Sequence, residues 1–145
     1  MSITDRHLYL AIGQTIAAGG ITDVIDRGAD PSPTLANFGG FGADLYLVVK
    51  TGAGYTGTNL SVELISDSVA ALNVSPTVHA STGLLPVAQL GANKQVAVLA
   101  IPPGDYERFI GARLGGTYAA GTIHVFMTRD PNYWRAMTSN NPLAQ

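Results

Sequence analysis

An all-β fold, a single-domain eight-stranded jelly roll, is what this chain predicts, on three observations. Apolar and polar residues alternate with period two in its clearest segments, the pattern of a strand with one buried face. Short clusters of Gly, Pro, Asn and Asp interrupt those segments. Helix signals are nearly absent. About eight short strands punctuated in this way imply a sandwich or barrel, and the jelly roll is the usual eight-stranded form.

The elements follow in order. Residues 1–10 read as an N-terminal arm. Weak strand signals cover residues 11–16 and 21–26, with Ala18-Gly19-Gly20 turning between them. Residues 28–42 form the longest irregular stretch, with two prolines and a Gly39-Gly40-Phe41-Gly42 tip, a length that implies a working loop or disorder. In residues 43–50, Leu45, Leu47 and Val49 fall on one side, opposite Asp44, Tyr46, Val48 and Lys50. Residues 59–66 set Leu60, Val62 and Leu64 against Ser61, Glu63 and Ile65. Further strands are read at 77–81, 95–101 and 107–114. Turn chemistry fills residues 51–58, Pro102-Pro103-Gly104-Asp105 and residues 115–121. The last strand, 122–129, places Ile123, Val125 and Met127 opposite Thr122, His124, Phe126 and Thr128. The expected core is Leu45, Leu47, Val62, Leu64, Val98, Ile110, Ile123 and Val125. Asp130-Pro131, an N-cap followed by Pro at the first helical position, opens at most two helical turns before Asn140-Asn141-Pro142. The plan is therefore an arm at 1–10, a β domain at 11–129 and a C-terminal arm at 130–145.

Only 12% of the chain is charged, and its mean hydropathy is +0.20. Soluble domains ordinarily carry about 25% charged residues. Much of the surface is therefore expected to be interface with other protein. A net charge of -2 and a pI near 5.8 argue against nucleic acid as the main partner. Lysine is confined to Lys50 and Lys94. With no cysteine, disulfides and thiolate metal sites are excluded. The N-terminus lacks the pattern of a signal peptide, and no apolar stretch approaches the roughly 20 residues that span a bilayer.

The chemical motifs fail one by one. Gly52-Ala53-Gly54-Tyr55-Thr56-Gly57 matches G-x-G-x-x-G after a strand, but the helix and the later acid that a dinucleotide site requires are missing. His7, His79 and His124 share no metal-ligand spacing. His79 and Ser81, two apart on a strand, stand about 7 Å from each other with no orienting acid nearby in sequence. Asp23 and Asp26, three apart, point to opposite faces. No catalytic residue, metal site or cofactor is expected, and the chain is not read as an enzyme. Interface residues are read instead at Tyr133, Trp134 and Arg135, and at Phe38 and Phe41 in the long loop, since aromatics and Arg dominate interface hot spots. The alternatives are that Trp134 folds back onto its own sheet and that the two Phe cap one end of the domain. Arg108, Arg113 and Arg129 read first as positive spots on a solvated face, with a salt-bridging partner as the second reading.

Several segments, taken together, resemble one family. They are Met1-Ser2-Ile3-Thr4-Asp5, Asp23-Val24-Ile25-Asp26-Arg27-Gly28 and Leu45-Tyr46-Leu47-Val48-Val49, then Leu85-Pro86-Val87, Ile101-Pro102-Pro103-Gly104 and Thr117-Tyr118-Ala119-Ala120-Gly121-Thr122-Ile123. In this order they are similar to the jelly-roll capsid cement (decoration) proteins of tailed bacteriophages. The likeness departs in residues 28–42 and in the last fifteen residues. It implies a virion protein made in the bacterial cytoplasm and bound outside the head. There it would form a dimer or trimer and hold major capsid protein subunits together without covalent links. The other reading from the same fold is a virion-associated receptor- or carbohydrate-binding module, with Phe38, Phe41 and Tyr55 as loop aromatics.

Overall fold

The computed structural model describes residues 9–16, 20–28, 45–129 and the backbone of 37–38. Among them the strands are β1 (Tyr9–Thr15), β2 (Ile25–Asp26), β3 (Asn37–Phe38), β4 (Tyr46–Thr51), β5 (Thr56–Gly57), β6 (Asn59–Asp67), β7 (Thr77–Ser81), β8 (Leu85–Pro86), β9 (Gln95–Ala100), β10 (Gly104–Asp105), β11 (Phe109–Gly115), β12 (Tyr118–Ala120) and β13 (Thr122–Thr128). One sheet has the order β1-β13-β4-β9, and the other β2-β11-β6-β7 with β8 attached to β6. Followed along the chain, these eight main strands cross to the opposite sheet at every step except β6 to β7. That is the path of a jelly roll. The sheets stay separate and do not close into a barrel.

The core lies between the inner faces, where alternation places it. Leu47 and Val49 of β4, Val62 and Leu64 of β6, Ile110 and Leu114 of β11, and Ile123, Val125 and Met127 of β13 are fully buried. Six consecutive residue pairs join β4 to β13, from Ile123↔Thr51 to Thr128↔Tyr46, and seven join β6 to β11. A one-residue slip in either ladder would turn these side chains out to water, so burial itself sets the register. On the other face of β6 and β11, Ile65 is also buried. Leu72, held at φ +50 in the β6–β7 loop, is buried too, and a Cβ on Gly111 would lie 2.6 Å from its Cδ1. Gly111 therefore leaves the room that Leu72 occupies.

Several sequence expectations change. Tyr9 and Leu10, read as arm, are part of strand β1 among the described residues, and Leu10 is fully buried. Residues 21–26 are not one strand. Thr22 donates its N–H to Ala112 in the second sheet while Asp23 donates to Leu10 in the first, so this segment crosses between sheets and only Ile25–Asp26 pairs regularly. Val98 is 37% exposed, because β9 is an edge strand and Val98 pairs with the outward-facing Val48. Leu45 only packs against the core in part. Val48, Phe126, Lys50, His124 and Thr128 do lie opposite the core, yet they too are buried. Tyr9 and Phe126 meet there at 5.6 Å between ring centroids, and Val48 completes a second cluster. The long loop is pinned where β3 pairs with β10, Phe38 opposite Gly104. The turn at residues 51–58 is tied down as well, by β5 pairing with β12. The helical start expected at Asp130-Pro131 lies outside the described residues.

Candidate functional site

One group of chemistry-bearing residues, Arg27, Ser66, His79, Tyr106 and Glu107, is joined across β6, β7 and the segment before β11. A register shift in the β6–β7 ladder falls at His79, between Val78↔Ile65 and Ala80↔Leu64. His79 Nε2 lies 2.7 Å from Ser66 Oγ, and its ring stacks on Tyr106 at 3.7 Å between centroids. Ser66 Oγ also accepts the N–H of Glu107, and Tyr106 donates its hydroxyl proton to the Pro102 carbonyl. Arg27 Nη1 donates to the carbonyls of Tyr106 and Glu107. A serine bonded to a histidine with an acid close by is the arrangement of a nucleophile and its base. Here the hydroxyl is fully buried and engaged on both sides. It satisfies polar groups at the edge of the core and offers no approach to a substrate. Sequence reasoning weighed His79 only with Ser81 and set that pair aside as too far apart; the serine that does meet it lies across the ladder, where only the register shift brings it into line. Burial lowers the His79 pKa, against a smaller upward pull from Glu107.

His124 accepts the N–H of Gly13 at Nδ1, 3.0 Å away, so its ring is neutral in this bond. Burial, with Lys50 alongside, lowers its pKa. The glycine-rich loop works by packing. Tyr55 is 6% exposed, Gly54 takes φ +69, and a Cβ on Gly57 would sit 2.9 Å from the Tyr55 hydroxyl. A buried Tyr55 cannot stack on a sugar, which removes it from the loop aromatics. Among the described residues, no three His, Cys, Asp or Glu side chains converge as metal ligands.

The surface is more informative. Arg108 and Arg113 are paired rather than solvated alone: Arg108 holds Asp26 through two bonds of 2.8 Å, and Arg113 grips Oε2 of Glu63. The Arg108 hydrogen bonds bring the Asp26 pKa down to about 2. Arg129 is exposed. Asp67 is buried and organises the loop after β6, accepting N–H bonds from Ser68, Val74 and Ser75. Burial would raise its pKa, but these backbone bonds outweigh that and hold it below the ordinary carboxylate value. Ile12, Val74, Val78, Leu84, Val87 and Val98 are large apolar side chains exposed on the edges and loops.

Of the predicted interface residues, Phe38 lies on β3, where only its backbone is described, and Phe41, Tyr133, Trp134 and Arg135 lie outside the described residues. Sequence reasoning missed the exposed valines and leucines around β7. The signal was present: residues 68–93 contain no Asp, Glu, Lys or Arg. Comparison with protein-family models matches residues 10–127 to the family described as Bbp16. No curated protein matches the chain.

Proposed function

The chain belongs to the Bbp16 family, and we propose that it is a structural virion protein, a cement protein on the outer surface of a bacteriophage head. In this reading it binds major capsid protein, associates with itself, and stabilises subunit contacts without covalent links or catalysis. The observation that carries the reading is a jelly-roll domain with only 12% charged residues and large apolar side chains left in the open. Such a surface suits burial against protein. Its likeness to the cement proteins in the segments quoted above gives the reading its name. The buried Ser66 and the half-buried His79 bonded to it also fit a structural role.

Each attachment can be weak, because many copies on one shell act together. A terminal arm that orders on binding loses conformational entropy yet covers a wide area. Deleting residues 131–145 is expected to leave the far-UV spectrum of the domain unchanged and to lower its occupancy on purified shells. Shells without the protein should rupture at lower temperature than decorated ones. Full occupancy by the truncated chain would remove the arm from the account, and equally heat-resistant shells would end the cement reading.

A further inference from the structure

Val78 on β7 is 46% exposed; Val74 and Leu84 in the adjoining loops are 70% and 63% exposed, and Val87, which opens a 3-10 turn after β8, is 59% exposed. They lie along the outer strand of the β2-β11-β6-β7 sheet, within the charge-free run of residues 68–93. Among the described residues, β7 pairs on one side only, with β6. Natural edge strands are usually guarded by charge or proline because their free N–H and C=O groups recruit other strands. Thr77–Ser81 contains neither. Of the other edges, β2 has two residues, β1 is interrupted by two register shifts, and β9 follows directly on Lys94, outside the charge-free run.

We propose that this edge binds a second copy of the chain, β7 against β7 about a two-fold axis, so that one sheet runs through a dimer. The proposal rests on the self-association in the reading above and names its surface. A two-fold interface sets a patch against itself, so any charge near the axis meets its own sign. Val74, Val78, Leu84 and Val87 bring no charge to the axis, and the carboxylate bonded to β7, that of Glu107, meets it at Thr77, the end of the strand and not its centre; permanent homotypic interfaces are the apolar, charge-depleted ones. Antiparallel pairing of identical strands supplies main-chain hydrogen bonds at the centre. Val74, Leu84 and Val87 would close over the flanks.

The test uses the isolated full chain, whose lack of cysteine makes single-cysteine reporters unambiguous. Light scattering after gel filtration should give the mass of a dimer. Val78→Cys should cross-link to dimer with a short bis-maleimide, and Ile12→Cys, equally exposed on β1, should not. Val78→Lys should run as a monomer with an unchanged far-UV spectrum, and Val74→Lys, on a loop, serves if the strand variant fails to fold. A monomeric or trimeric mass overturns the proposal, as does cross-linking through Ile12→Cys in place of Val78→Cys. A monomeric chain that loses shell binding through Val78→Lys assigns the patch to the shell and also overturns it. Mass and cross-linking are read without shells, so their failure leaves the cement reading standing, and failed decoration leaves the pairing standing.

Discussion

Val98 and Ile123 both stood in the expected core, and their fates differ for a physical reason. Ile123 belongs to β13, flanked by β1 and β4 and facing the opposite sheet, and is fully buried. Val98 belongs to the edge strand β9 and faces away. Alternation in a single strand cannot tell a central strand from an edge, nor say which of two apolar faces is inward. Ile123→Ala is expected to cost about 2–4 kcal/mol through lost burial and a residual cavity. Val98→Ala should change stability by less than about 0.5 kcal/mol. Urea denaturation of both variants checks this, and equal losses would refute the assignment of faces. The Ser66–His79–Tyr106 cluster was not legible at all, since its members meet only through the ladder register and the fold.

Strand limits were legible even where no face is buried, as in β7. The expected 77–81 agrees with β7, and the limits of β4, β6 and β13 moved by one to three residues. Pairings of two or three residues, β3 with β10 and β5 with β12, escaped notice because so short a segment has no period. The β7 and β13 strands also carry the pH response. His79 and His124 each have a folded-state pKa below the ordinary histidine value of 6.5, chiefly through burial. The neutral rings thus favour the folded state, a contribution fully present above about 6.5 and lost as pH falls through the folded values. The urea midpoint should decline from pH 7.5 to 5.5, well above the range where Asp26, held near 2, begins to protonate. A midpoint unchanged over that interval would contradict the lowered pKa of the buried His124 and the half-buried His79.

The fold class was legible because alternation and turn residues agree along the whole chain, whereas the strand order was not, since nothing local announces which distant strand is a neighbour. That order makes β1, the first strand, the partner of β13, the last, with Tyr9 opposite Phe126. The described chain therefore enters at Tyr9 and leaves at Arg129 from the same end of one antiparallel pair. This fixes how the domain bears mechanical load. Tension applied through its two ends pulls across the β1–β13 ladder and opens its hydrogen bonds one after another, like a zip. Pulling between Asn59 and Phe109, at opposite ends of the β6–β11 pair, instead loads that ladder in shear, with all its bonds resisting together. Single-molecule force spectroscopy should find a lower rupture force for the first geometry than for the second, and the reverse order would be inconsistent with this strand arrangement. A head that swells under internal pressure would thus strain such a domain in its more yielding direction whenever the pull comes through both ends at once.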